Sequence, residues 1–311
     1  MPSLLESLPP GARVDVIRLR SLGDCVLTTP ALALLKAHRP DLRINILVEQ
    51  RFVGVFEGST DVDEVSIDLR PLNRREALLV LNLHGGPRSM LMVLLSGAKY
   101  RAGFAHHRYS FFYSHRIPRA QEILGVERRI HTVEHLASAM FWMGVPRREI
   151  PRAKLAAGSA PSFLGTYAVI HPFASEPAKT WPVGRFVEVA RHLREACGLE
   201  PVFLAGPAND ATPFSEFRVW RNVPLAYLKS LMSGASLFVG NDSGPAHVAA
   251  AFGVPVVVLF GPSDPVAWAP WRTQSQVMTS REDITRIQVS EVIAAAESLL
   301  VKAVSERLDN R

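Results

Sequence analysis

Apolar runs alternate with amphipathic stretches along the chain. The first half opens with VDVIRLR (Val14–Arg20), a turn at SLGD and a helical stretch, CVLTTPALALLKAH. RINILV predicts the next strand, followed by a short helix from Gln50 to about Glu57. LLVLNLHG (Leu78–Gly85) predicts a third strand and RSMLMVLLSG the helix after it; YRAGF is a candidate fourth strand, and HTVEHLASAMFWMG an amphipathic helix. Strands alternating with helices predict a parallel sheet with helices on both faces.

The alternation lapses in PRREIPRAKLAAGSAPSFLGT (Pro146–Thr166), rich in Pro, Arg, Ala and Gly, which marks a domain boundary. It then restarts with strand YAVIHP, a helix over Gly184–Cys197, strand PVFLAG and a helical stretch near Pro224–Ser233. Strand SLFVG, helix Pro245–Phe252, strand VPVVVLFG and a final helix over roughly Ser290–Val304 complete the chain. Two doubly wound α/β domains are therefore expected, residues 1–155 and 156–311. Ligands of such sheets bind beyond the carboxyl ends of the strands, and the cleft between two such domains is the expected active site.

Composition narrows the class. At 311 residues, 48% hydrophobic and 21% charged, the chain reads as an ordinary globular protein. No stretch approaches the apolar length needed to cross a bilayer, and MPSLLESLPPG lacks the features of a secretory signal. Cytoplasmic residence is the expectation, and two distant cysteines, Cys25 and Cys197, fit a reducing compartment. Charge is uneven: residues 1–155 carry 22 Lys+Arg against 15 Asp+Glu (+7), and residues 156–311 carry 13 against 14 (−1), which together give +6. The basic half is mostly arginine, suited to phosphate or carboxylate; nucleic acid, an anionic lipid surface or a phosphorylated ligand would each explain it.

Four strand-end loops carry candidate chemistry. In RLRSLGD, Asp24 is either the cap of the following helix or a general base. In HPFASEPAKTWP, Ser175, Lys179 and Thr180 combine hydroxyls and an ammonium in a manner suited to phosphate, without P-loop spacing. No GxGxxG occurs, so a nicotinamide dehydrogenase is poorly supported. In AGPAND, Asp210 either caps a helix or accepts from a ribose diol. In VGNDSGPAHVAAAFG, Gly244 permits close backbone approach, Pro245 suits a first helical position, and Ser243 and the free amides can meet an anion, with Asp242 and His247 beside them. The alternative there is a structural turn with a buried histidine. DVD (Asp61–Asp63) reads as a solvated turn, the His131/His135 pair as a helix face rather than a metal site, and Trp181, Trp268 and Trp271 as packing residues.

Together these stretches resemble glycosyltransferase family 9, the heptosyltransferases that act on the lipopolysaccharide inner core. The likeness runs through VIRLRSLGDCVLTTPALALLKAHRPDLRINILV, DLRPLNRREALLVLNLHGGPRSMLMVLLSGAKYRAGF, HPFASEPAKTWP and VGNDSGPAHVAAAFGVPVVVLFGPSDPVAWAPW. The resemblance implies a GT-B fold of two Rossmann-like domains, with the acceptor on the N-terminal and the donor on the C-terminal one. A final helix crossing back onto the first domain is part of the analogy. Asp24 would be the base of an inverting displacement, and Ser175 and Lys179 would hold the phosphates of ADP-heptose. Asp210 would contact the ribose, where the family usually has Glu. Asp242, Ser243, Gly244 and His247 would face the diphosphate and sugar. No cofactor and no metal is implied. The acceptor side departs from many relatives at NLHGGPRS, and Arg20, Arg51, His84, Arg88 and Arg108 are its candidate contacts. The implied acceptor is an anionic lipid-linked saccharide at the inner face of the inner membrane, with peripheral membrane association and no nucleic acid. Alternatives are a same-fold glycosyltransferase using another nucleotide sugar, a nucleotide-sugar epimerase, and a non-catalytic nucleotide-binding or membrane-docking protein.

Overall fold

The computed structural model describes residues 3–67, 76–159 and 165–309, side chains after Lys302 excepted. Residues 68–75 of the second family-like stretch and 160–164 of the boundary segment lie outside the described residues. The chain divides into two compact units, Met1–Ala156 and Ala157–Arg311.

The first unit begins with β1 (Arg13–Ile17), α1 (Leu22–His38), β2 (Arg43–Leu47), a 3₁₀ turn at Gln50–Val55 and β3 (Glu64–Ser66). It continues with β4 (Ala77–Asn82), α2 (Pro87–Leu95), β5 (Tyr100–Phe104), a 3₁₀ turn at Ser110–Phe112, β6 (His115–Ile117), α3 (Ala120–Leu124) and α4 (Thr132–Met143). The second unit runs through β7 (Tyr167–His171), a 3₁₀ turn at Pro177–Lys179, α5 (Val183–Glu195), β8 (Glu200–Ala205), β9 (Arg218–Arg221), α6 (Leu225–Ser233) and β10 (Leu237–Asn241). α7 (Gly244–Ala251), β11 (Val256–Phe260), α8 (Pro265–Trp268), β12 (Ser275–Thr279) and α9 (Val289–Asp309) complete it.

Each unit holds one six-stranded sheet, ordered β3-β2-β1-β4-β5-β6 and β12-β11-β10-β7-β8-β9. Counted from the first strand of each unit, the two orders are the same, and the pairings are parallel. The central strands are apolar runs buried on both faces, as helix-covered parallel sheets require; every residue of β11 is buried. In each sheet the strand order reverses between the unit's first and fourth strands, so loops leaving β1 and β4, or β7 and β10, diverge and leave a crevice between them. The segments with candidate chemistry at Arg18–Asp24, Leu83–Gly86, Pro172–Lys179 and Asp242–Gly244 are the loops at these two switch points.

Two sequence expectations change. The helix after β1 starts at Leu22 with Ser21 as its N-cap, so Asp24 is its third helical residue rather than its cap. The short helix expected from Gln50 to about Glu57 ends at Val55 and is of the 3₁₀ kind; Gly54 and two β-branched valines give it little α-helical propensity. α9 packs on α5 and on β10, β11 and β12 of its own unit. Among the described residues, no helix is long and apolar enough to cross a membrane.

Candidate functional site

At the first switch point, the Asp24 carboxylate faces back along α1. Its Oδ2 accepts from the Ser21 amide at 3.0 Å and the Ser21 hydroxyl at 3.1 Å, which closes the capping box. Its Oδ1 accepts from Arg18, whose guanidinium is buried and also donates to the Leu83 carbonyl beyond β4. Asp24 is thus both a helix-start residue and one half of an ion pair, with 23% of its side chain open to solvent.

His84 stands close by. Burial pushes its pKa down and so does the Arg18 charge; Asp24 opposes the shift, Arg20 adds to it and Glu49 opposes it. Glu49 in turn takes Arg51 at 2.9 Å and Arg88 at 3.2 Å. The structure therefore gathers Asp24, Arg20, His84, Arg51 and Arg88 around one strand-end crevice. Arg108 is exposed, its guanidinium over the Tyr109 ring at 5.6 Å. Arg18 and Glu49 organise this group and were not singled out from the sequence.

A set of histidines completes this end of the sheet. The Asn82 side chain donates to Tyr113 Oη at 3.0 Å and accepts from the His84 amide, while Tyr113 meets His107 Nδ1 at 2.9 Å. His107 packs over Gly85, where a Cβ would come within 2.5 Å of its ring. His135 stacks on Phe104 at 4.0 Å. Burial first, then neighbouring histidine and Arg18 charges, pushes His107 and His135 down to about 4. His106 and His135 line an open pocket of ≈690 Å³ with Arg119, Gln121, Glu122 and Thr132. These residues are dispersed in sequence, and no local motif signals that they meet.

At the second switch point, Asn241 is the organiser. Fully buried at the end of β10, it accepts from the Trp181 amide at 3.1 Å and donates to the Pro172 carbonyl at 2.9 Å. This pins the whole 172–181 loop beside the start of α7. Gly261 lets the β11 loop touch the Pro177–Lys179 turn, since a Cβ there would lie 2.4 Å from the Ala178 carbonyl.

Ser243 is the N-cap of α7 and meets His171 Nδ1 at 3.1 Å; Gly244 is the first helical residue, and His247 is buried one turn further on. Burial pushes the Asp242 carboxyl up, against the Ser263 hydroxyl and the nearby Lys179 ammonium. Lys179 also lies 3.7 Å from Glu176, and Ser175 is exposed on the same loop. This switch point thus presents a cation, a hydroxyl and the N-terminus of α7, a combination suited to anions.

Asp210 stands outside this group of contacts. It is exposed, and its carboxylate accepts from the Thr212 amide at 2.9 Å, so it caps its own turn. The decoys are structural: Asp63 pairs with Lys36 and the Ile44 amide, His131 caps α4 through Val133, and Trp181 is fully buried. Among the described residues, metal-type ligand atoms gather within 4.8 Å at His192, Cys197 and Glu297, on α5, just past its C-terminal end, and on α9. That end of α5 is remote from the loop leading into its start.

Comparison with known proteins follows the same lines. The profile of glycosyltransferase family 9 (heptosyltransferase) matches residues 69–292, well over half of the chain. Lipopolysaccharide heptosyltransferase 3 of Escherichia coli is 26% identical, the match covering 91% of this chain and 97% of that protein. A solved family 9 glycosyltransferase from Veillonella parvula superposes with a TM-score of 0.83 at 22% identity, over 94% of this chain and 97% of that one. The E. coli heptosyltransferase WaaC, solved with ADP, superposes with a TM-score of 0.75 at 20% identity, over 93% and 100%.

Proposed function

The chain belongs to glycosyltransferase family 9 and has its GT-B fold, and we propose that it moves heptose from ADP-L-glycero-D-manno-heptose to a lipopolysaccharide inner-core acceptor. We further assign it an inverting reaction that needs no metal ion. The observation that carries this reading is the second switch point, where Lys179, from a distant part of the chain, lies beside Asp242 and the start of α7. The named activities of the relatives and the ADP bound by WaaC support the same donor.

In this reading the second unit, residues 156–311, holds the donor. The α7 amides and the Lys179 ammonium meet the diphosphate and take up the charge that builds as ADP departs. Gly244 allows the phosphate to reach the backbone, and Ser175 and Ser243 add hydroxyl donors. Asp242 and His247 stand at the sugar side, and Asp210 turns from Thr212 to the ribose diol. A cation and helix amides in this position replace the charge that a metal would otherwise supply.

The first unit, residues 1–155, holds the acceptor. Asp24 takes the proton of the acceptor hydroxyl as that oxygen attacks the anomeric carbon; the bond from that carbon to the phosphate oxygen breaks, and its electron pair leaves on ADP. Arg18 fixes the Asp24 carboxylate for this step. Arg20, Arg51, His84, Arg88 and Arg108, with Arg119 of the histidine-lined pocket, meet the anionic groups of a lipid-linked saccharide. Such an acceptor places the enzyme at the inner leaflet, on its cytoplasmic side.

Calorimetric titration with ADP and UDP, run with and without a chelator, tests the donor assignment. The reading requires tighter binding of ADP, unaffected by the chelator and weakened in Lys179→Ala. Preference for UDP removes ADP-heptose as the donor, and binding of neither nucleotide removes the transferase reading.

A further inference from the structure

Among the described residues, nine large apolar side chains are exposed, and five of them lie on two segments of the first unit: Leu91, Leu94 and Leu95 on α2, and Phe111 and Phe112 on the Ser110–Phe112 turn. Their exposure runs from 36% to 59%. The leucines are spaced i, i+3 and i+4, which places them on one helix face. Met90, Met92 and Val93 of the same helix are buried in a cluster with Ile17, Val80 and Tyr113. A helix apolar on both its buried and its exposed faces needs a second cover. Tyr113 and the partly buried Tyr109 bracket the phenylalanine turn and pack in that same cluster, so both exposed segments adjoin one core.

Charge identifies what covers them. Between Ala77 and Gln121 the sequence has six Lys or Arg residues (Arg88, Lys99, Arg101, Arg108, Arg116 and Arg119) and no Asp or Glu. Arg88 stands at the start of α2, half exposed and paired with Glu49. Lys99 follows the helix and Arg108 precedes the turn; both are exposed, each held over its neighbouring tyrosine ring. A second copy of this chain would bring the same cations against the face and be repelled. Apolar side chains fringed by exposed Lys99 and Arg108, in a stretch without Asp or Glu, match an interfacial membrane element, where apolar groups enter the acyl boundary and cations meet anionic headgroups.

We propose that α2 and the Ser110–Phe112 turn dock the first unit on an anionic lipid bilayer. Leu91, Leu94, Leu95, Phe111 and Phe112 enter the membrane interface, and Lys99 contacts headgroup phosphates. The inference rests on the proposed lipid-linked acceptor for its purpose, while the surface itself is read from exposure and charge.

Co-sedimentation with vesicles of phosphatidylcholine, alone or mixed with phosphatidylglycerol, tests it. The wild-type chain binds the mixed vesicles and releases as salt is raised. The double substitution Leu91→Ser/Leu95→Ser, at exposed positions that leave the core intact, lowers partitioning by ~10-fold or more. Lys99→Glu lowers it by roughly fivefold for each unit of charge lost. Both variants keep wild-type transfer to a saccharide acceptor without lipid. Equal binding to neutral and anionic vesicles, no vesicle binding, or binding unmoved by these substitutions would overturn the proposal. A wild-type dimer in sedimentation velocity that the double serine variant abolishes would overturn it too, by assigning the face to self-association. Vesicle binding is measured without donor or acceptor, so its failure and the failure of the transfer reaction are read separately.

Discussion

Arg18 donates to the Asp24 carboxylate and, through its other terminal nitrogen, to the Leu83 carbonyl, so one buried cation joins the turn after β1 to the end of β4. The base assigned to the reaction is therefore held from behind, by a residue that the SLGD stretch does not include. Arg18→Met removes that support and leaves the carboxylate without its charged partner. The variant should lose about 2–4 kcal/mol of stability in urea denaturation. Its transfer rate should fall ~10²-fold through misplacement of Asp24, with ADP affinity unchanged.

The loop proposed to hold the donor depends on Asn241 in the same way. Asn241→Leu strands the Trp181 amide and the Pro172 carbonyl in a buried place, at a cost of about 2–4 kcal/mol for the two groups. Calorimetry should find weaker ADP binding in this variant, since Lys179 is carried on the released loop. Gly261→Val, which drives a side chain into the Ala178 carbonyl, should weaken ADP binding as well.

The legible part of this protein was its repeated β/α alternation and the loops at its strand ends. The strands without a clear apolar run, β3, β6, β9 and β12, are the four edge strands of the two sheets. An edge strand is paired on one side only and partly solvated, so its sequence stays short and polar and carries little period. EVS at Glu64–Ser66 and HRI at His115–Ile117 show this directly. Within the site, Asp24, Lys179 and Asp242 were legible because each sits in a compact loop beside glycine or a helix start. Arg18, Glu49, Asn241 and the gathering of His84, His106, His107 and His135 were not, because only the parallel strand order brings those chain segments to one edge. Asp24 also shows why local alternatives stay open in sequence: the capping-box role and a partly open carboxylate coexist in one side chain.

Burial of histidine makes both units acid-sensitive. His107 and His135 in the first unit and His171 in the second are pushed down to about 4 from an ordinary 6.5. Above pH 6.5 these groups are neutral folded or unfolded, and their stability contribution is fully present. Between pH 6.5 and 4 the unfolded chain takes up protons that the folded chain refuses, so stability falls as pH falls. Each histidine contributes a slope of up to about 1.4 kcal/mol per pH unit. His135→Phe keeps the ring on Phe104 and removes the titration. Thermal denaturation across this window should show a shallower decline for the variant, by close to one proton's slope.

The most direct measurement is transfer of heptose from ADP-heptose to a deacylated inner-core saccharide by the wild-type chain and Asp24→Asn, with chelator present. The account predicts transfer by the wild type with inverted anomeric configuration. For Asp24→Asn it predicts a loss of roughly 10²–10⁴-fold in rate with ADP binding intact, the range a general base supplies. Undiminished transfer by Asp24→Asn, or a wild-type reaction that stops when the chelator is added, would contradict it.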